Sequence, residues 1–356
     1  MPKSNICLKV PKKQGEIAIA LANKLRLVDK SLSIQRDESH LYIPIVRQPE
    51  ENELETLKNH LPKLQLATNV FTEKNQPAET LIQALEDKLP PYLLARLPQA
   101  LDVIGDIAIL EIPQELKAHE ALIGEAILKM HKNLKTVLAK AGAISGTYRV
   151  RKYAFIAGED KNRTVHREFG CQYHVDVAKA YFSPRLSHEH ERVASLVQAG
   201  ETVVDLFAGV GPFSVLIGKR NPKAKVYAVD LNPEAVELLK VNVRVNRVEN
   251  RVFPILADAR EITATKLKGS ADHVIMNLPE TAIDFVDVAC NAIKPQGGVV
   301  HFYGFVRAPD SIENLKQRFS EAVGKNGRKV GSFLYAKSIR ETAPFESQIA
   351  LDAKIA

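Results

Sequence analysis

Thr202-Val203-Val204-Asp205-Leu206-Phe207-Ala208-Gly209-Val210-Gly211-Pro212-Phe213 is an apolar strand that runs into an acid, then a glycine turn, then the start of a helix. Three more apolar runs follow at domain-like spacing. Val226-Tyr227-Ala228-Val229 ends in Asp230, and Phe253-Pro254-Ile255-Leu256-Ala257 ends in Asp258. His273-Val274-Ile275-Met276 ends in Asn277-Leu278-Pro279-Glu280. Short apolar runs alternating with helical stretches predict a parallel sheet whose strand ends converge on one ligand.

The residue types at those strand ends say what the ligand is. Gly209 and Gly211 let the backbone approach closely and accept unusual dihedrals. Asp230, about 20 residues past the turn, sits where a carboxylate holds ribose hydroxyls. Asp258 is placed to accept from an adenine amino group. Asp205, under the turn, is expected either to orient it or to meet an ammonium. With the flanking Phe207, Ala208, Leu231 and Ala259, these residues read as an S-adenosylmethionine site, closed by Asn277. A nicotinamide site would want G-x-G-x-x-G, and Pro212-Phe213-Ser214 follow Gly211 instead.

Composition sets outer bounds. The 356 residues allow two or three domains, and a hydrophobic fraction of 45% suits globular cores. No apolar run approaches the roughly 18 residues of a membrane helix. The N-terminus leads straight into a strand-like Ile6-Cys7-Leu8-Lys9-Val10, with no signal-peptide pattern. Cys7, Cys171 and Cys290 are odd in number and lack metal spacing, so they read as buried small hydrophobes in a reducing cytoplasm. A net charge of +7 and a pI near 9.1 are compatible with a nucleic-acid partner but do not establish one.

Three segments are expected. Residues 1–66 form a small α/β unit: a strand at Ile6–Val10, a helix at Gly15–Leu27, a strand at His40–Val46 and a helix at Asn52–Leu64. Thr68–Pro77 reads as a linker. Residues 78–178 form a second, α+β unit, with helices at Ala78–Leu89, Pro91–Leu97 and Glu115–Lys132, and strands around Gly105-Asp106 and at Thr136–Ala139, Thr147–Ala157, Thr164–Phe169 and Cys171–Val177. Arg149, Arg151, Lys152, Lys161, Arg163, His166 and Arg167 are placed on or between these strands as a phosphate-contacting face. Residues 179–356 carry the cofactor strands.

Tyr181-Phe182-Ser183-Pro184-Arg185-Leu186-Ser187-His188-Glu189-His190 lies just before the first cofactor strand, with Ser187 as the expected helix cap. Here the chain resembles the tRNA (guanine-N1-)-methyltransferases of archaeal and eukaryotic type, which modify the guanosine at tRNA position 37. The resemblance spans essentially the whole chain. It rests on Arg149-Val150-Arg151, Gly158-Glu159, the F-S-P-R-L run, the Asp205–Phe213 turn, Asp230-Leu231-Asn232-Pro233 and Asn277-Leu278-Pro279. It implies a Rossmann-like class I methyltransferase domain preceded by two smaller α+β domains. It also implies tRNA as the partner, through its anticodon loop and outer corner, and a cytoplasmic monomer. Guanine N1 carries a proton, so its methylation needs a general base and a stabiliser for charge on O6. The resemblance implies Glu189 as base, expected at a helix start facing the glycine turn, and Arg149 at O6. Asn277 and Pro279 then position base and cofactor, and Tyr181 packs near the cofactor. Where the family often has Arg, this chain has His190, so a cofactor contact there is an open reading.

The alternatives keep the same cofactor. One is aminocarboxypropyl transfer at the same tRNA position, against which Asn277-Leu278-Pro279 favours methyl transfer; another is methylation of a wyosine intermediate. A non-catalytic tRNA-binding protein is the reading from a different class, and intact Glu189, Arg149 and Asp230 argue against it. A protein methylase would want N-P-P-Y.

Overall fold

The computed structural model describes residues 2–73, 80–142 and 146–356, arranged as two compact units, 1–84 and 85–356. The first unit is built on β1 (Pro2–Pro11), α1 (Gly15–Lys24), β2 (Gln35–Arg36), β3 (His40–Pro44), α2 (Glu51–His60) and β4 (Gln65–Thr72). Its antiparallel sheet has the order β2-β3-β1-β4. Leu8, Val10, Ile43 and Ile45 point inward from the strands and pack against Ala18 and Ala22 of α1 and Leu57 of α2. The expected linker is corrected at its start. Thr68–Thr72 belong to β4, which pairs along β1 from Pro2↔Thr72 to Lys9↔Gln65, so the polar Thr68 and Thr72 are exposed positions of a strand. Lys74–Pro77 and the first two residues of the expected helix at Ala78 lie outside the described residues.

Two short helices, α3 (Leu81–Leu85) and α4 (Pro91–Leu94), precede a second sheet. That sheet holds β5 (Asp102–Ile104), β6 (Ile107–Leu110), β7 (Thr136–Lys140) and β8 (Tyr153–Gly158) in that order, with α5 (Glu120–Met130) covering it. The helix expected from Glu115 begins as a 3₁₀ turn over Gln114–His119, the tighter winding common at helix starts. The strand expected from Thr147 is also corrected. Residues 147–149 form a turn, with Arg149 at φ 53°, and extended structure begins at Tyr153. A hairpin of β9 (Arg163–Glu168) and β10 (Cys171–Asp176) follows.

The remainder is a doubly wound layer: α6 (Ser187–Leu196), β11 (Thr202–Asp205), α7 (Pro212–Arg220), β12 (Lys225–Asp230), α8 (Pro233–Val245), β13 (Val252–Leu256), α9 (Ala259–Thr265), β14 (His273–Met276), α10 (Val286–Ala292), β15 (Gly298–Arg307), α11 (Ile312–Lys325), β16 (Val330–Ala343) and β17 (Glu346–Ile355). Sheet order is β13-β12-β11-β14-β15-β17-β16, parallel until β17 and β16 close it antiparallel. Strand order reverses between β11 and β14, and a ligand belongs at the carboxyl ends beside such a switch. Ser187 is the first residue of α6 and makes no capping bond; the cap position is Leu186, because Pro184–Leu186 already wind as a 3₁₀ turn.

One hydrophobic core unites residues that the sequence divides between the second and third segments: Ile104, Ile107 and Leu138 share it with Tyr173, Val193, Val203 and Phe213. Asn242 on α8 locks the β9–β10 hairpin onto this layer. Its fully buried amide accepts from His174 N at 2.6 Å and donates to His174 O at 3.2 Å and Val210 O at 2.9 Å. All three cysteines are buried, and burial raises each thiol's pKa.

Asn242→Ala strands three backbone groups at once, at about 1–3 kcal/mol for a buried unsatisfied group. Urea titration of the full chain should show a loss of about 2–3 kcal/mol; a loss below about 0.5 kcal/mol would mean the hairpin is held by apolar packing alone.

Candidate active site

A cavity of about 670 Å³ opens at the carboxyl ends of β11, β12 and β14. The glycine turn forms its floor. Gly211 sits at φ 88°, caps α7 and lies so close to Leu239 that any Cβ would clash; Gly209 sits at φ 55°. Asp230 fixes this floor. One carboxylate oxygen accepts from Gly209 N at 2.7 Å and the other from Asn232 N at 2.8 Å. Burial nevertheless pushes its pKa up, so a ligand supplying further donors to this carboxylate is favoured.

Along one wall lie Leu206, Phe207, Ala208, Leu231, Ala257, Asp258 and Ala259. Asp258 caps α9 by accepting from Arg260 N at 2.7 Å. These apolar sides with two acids at strand ends suit an adenosine: flat walls for the ring, a carboxylate for ribose hydroxyls. S-adenosylmethionine fits this donor set, and Asp230, Asp258 and the backbone of the glycine turn are the groups that would hold it.

Two expected cofactor residues stand apart. Asp205 and Gly211 are not part of the cavity wall. Asp205 is 1% exposed and accepts from Ser214 Oγ at 2.7 Å; burial pushes its pKa up to about 7. Its other oxygen, Oδ1, is buried without a hydrogen-bond partner, so both expected roles, orienting the turn and meeting an ammonium, stay open. His190 does reach the wall, but it is 2% exposed, its Nδ1 lies 2.7 Å from Glu168 Oε1, and its ring stands edge-on to Phe213.

The opposite wall comes from distant sequence. Arg149, from the turn before β8, reaches the cavity and pairs with Glu280, directly after Asn277-Leu278-Pro279. That pairing lowers the pKa of Glu280. Sequence reasoning gave Glu280 no role, and no local pattern links positions 131 residues apart. Asn277 and Pro279 line the cavity beside this pair. Tyr181 also lines it, its hydroxyl 3.3 Å from Arg340 Nη2; the same guanidinium donates to Ser183 Oγ at 2.9 Å and Gln348 Oε1 at 2.8 Å. Arg340, in mid-strand on β16, carried no sequence signal.

Glu189 is placed differently from the expectation. It lies on the inner face of α6, 6% exposed and outside the cavity wall. Arg192 Nε donates to both its oxygens at 3.0 and 3.1 Å, and Tyr303 Oη donates at 3.0 Å. Arg192 also grips Asp352 at 2.5 Å, and Asp352 lies 2.8 Å from His301 Nδ1.

Comparison with known proteins places the whole chain among its relatives. The profile of the TRM5/TYW2 methyltransferase domain matches residues 164–331, that of the TYW2 N-terminal domain residues 81–161, and that of the tRNA methyltransferase 5 N-terminal domain residues 7–53. The tRNA (guanine(37)-N(1))-methyltransferase Trm5b of Pyrococcus abyssi is 40% identical over 98% of this chain and 99% of its own length. The tRNA 4-demethylwyosine(37)-methyltransferase Taw21 of Saccharolobus solfataricus is 32% identical over 78% of this chain and 99% of its own length. A solved complex of aTrm5 and tRNALeu aligns with a TM-score of 0.80 and 34% identity, covering 99% of this chain and 100% of that one. The chain belongs to the family of tRNA (guanine(37)-N(1))-methyltransferases, within the TRM5/TYW2 group.

Proposed function

We propose that this chain transfers a methyl group from S-adenosylmethionine to N1 of guanosine 37 of tRNA. The observation that carries the reading is one cavity with two chemistries. Acids and a glycine turn at one wall suit the cofactor, while a guanidinium beside Asn277-Leu278-Pro279 at the other suits a guanine. Full-length similarity to Trm5b, with residues 7–53 matching the tRNA methyltransferase 5 N-terminal domain, favours N1 of guanine over a wyosine intermediate. The reading has a monomer working where tRNA is, in the cytoplasm.

The cofactor supplies an electrophilic methyl group. Guanine N1 becomes a competent nucleophile only as its proton leaves and negative charge builds on O6. Arg149 is the cation placed to meet that charge, and Glu280 holds its guanidinium at the cavity until substrate arrives. Asn277 offers an amide donor and acceptor from the end of β14. Pro279 has no N–H to satisfy and sets the turn that carries Asn277 and Glu280. Glu189 is the proton acceptor in this proposal. Its carboxylate faces Arg192 and Tyr303 in the described conformation, so acting as base requires it to swing from that pair to the cavity when the guanine enters. A base stacked in the anticodon loop cannot present its N1 edge to a cofactor at strand ends, so guanosine 37 is extruded first.

Nucleoside mass spectrometry of tRNA treated with the protein and cofactor should show 1-methylguanosine at position 37; a modified tricyclic base or no methylation refutes the assignment. Glu189→Gln should keep cofactor and tRNA binding yet lose roughly 10² or more in single-turnover rate, the range of general-base effects. A wild-type rate with a lowered thermal midpoint would make Glu189 only the partner of Arg192. Asp230→Ala should weaken S-adenosylmethionine by roughly 1–3 kcal/mol, the cost of losing a charged acceptor; unchanged affinity by calorimetry would remove Asp230 from the site.

A further inference from the structure

The β16–β17 turn carries a side chain that neither fold nor cofactor explains. Ala343 pairs with Glu346, so the turn is Pro344-Phe345 alone. Phe345 is 83% exposed, the highest of the large exposed hydrophobics among the described residues, and its backbone sits at φ 63°. Proline followed by a positive φ is the pattern of a type II turn, whose third position calls for glycine. A bulky residue held there is a strained outlier, and such strain persists where the surroundings enforce it, often at binding sites. The enforcement is visible: Ala308 N donates to Phe345 O at 2.9 Å, and Thr342 Oγ1 donates to Glu346 across the turn at 2.8 Å. The turn stands at the cavity rim, since Thr342 and Glu346 on either side both line it. Packing gains nothing from this ring, and glycine would relieve the strain.

We propose that Phe345 is a stacking platform for a nucleobase adjacent to the extruded guanosine. This rests on the function proposed above. Flipping one nucleotide out of a single-stranded loop leaves its neighbour with one unstacked face, and an exposed aromatic at the cavity mouth is the complement of that face. Stacking on a π-face is indifferent to base identity, so this contact supports substrates whose loop sequences differ.

The test is a double-mutant cycle between protein and RNA with the full chain, reading tRNA affinity. Phe345→Ala should weaken binding about tenfold, within the range for loss of one stacked base. An abasic site at one of the two nucleotides flanking position 37 should weaken wild type by a similar factor. Combining the two should cost little more than either, the non-additivity of partners in contact. Phe345→Trp should restore affinity, and S-adenosylmethionine affinity should be the same for all. Phe345→Gly separates binding from folding, with a thermal midpoint at or above wild type and weakened tRNA binding. Additive effects at both flanks, or wild-type affinity of Phe345→Ala, would overturn the proposal. So would a Phe345→Gly variant that loses stability but not affinity. If wild type itself leaves guanosine 37 unmethylated, the underlying function fails instead.

Discussion

The ion pair between Arg149 and Glu280 is the contact on which the site depends. It spans the cavity from a positive-φ turn of the smaller sheet to the loop after β14. Both side chains are partly exposed, so it adds little to stability, of order 0–1 kcal/mol for such pairs. Its value is positional. A free arginine at that turn would sample many rotamers, and one held at the wall is already placed for the role at O6 proposed above. Glu280 also lets the site tell substrate from water: the guanidinium leaves its carboxylate only for a partner that repays the exchange.

Behind the cavity runs a second, buried polar chain. Glu189 is gripped by Arg192, Arg192 by Asp352, and Asp352 by His301, whose Nε2 lies 3.0 Å from His273 Nδ1. Burial opposes ionisation of Asp352, but His301 and Arg192 hold its carboxyl at about 2. Burial and the neighbouring His301 ring push the pKa of His273 down. Removing one member would leave an uncompensated buried charge, a costlier event than replacing the whole set with apolar residues. The chain fixes α6 against β15 and β17, the elements nearest the proposed base. Both oxygens of Glu189 are held by Arg192 and Tyr303, which is why its release toward the guanine belongs to the proposed catalytic cycle.

The cofactor half of this site was legible in the sequence because its signal is local. Strand, acid and turn are contiguous at Asp205–Phe213, at Val226–Asp230 and at Phe253–Asp258, so the parallel sheet and the acid at the end of β12 follow from short-range pattern. Asp205 shows where that reasoning stops: an acid under a glycine turn can serve the turn or the ligand, and here one oxygen meets Ser214 while the other has no partner. The substrate half was legible only through resemblance. Arg149 meets Glu280, and Arg340 meets Tyr181, through topology alone. Thr68–Thr72 of the strand Gln65–Thr72 passed for a linker because most of the strand's side chains face solvent, and the turn at Arg149 passed for a strand because a positive φ at arginine leaves no mark in composition. The shared core of Ile104, Tyr173 and Val203 was hidden for the same reason: hydrophobic periodicity reports which face is buried, not against what.

The most direct measurement is the structure of the full chain with S-adenosylhomocysteine and an anticodon stem-loop carrying guanosine 37. The account predicts an extruded guanine between Arg149 and Asn277. A guanidinium nitrogen then lies within about 2.7–3.2 Å of O6, Glu280 has released Arg149, and the Glu189 carboxylate is turned to N1. A guanine still stacked in the loop, or one bound in the cavity with Arg149 on a phosphate and Glu189 still on Arg192 and Tyr303, would contradict it.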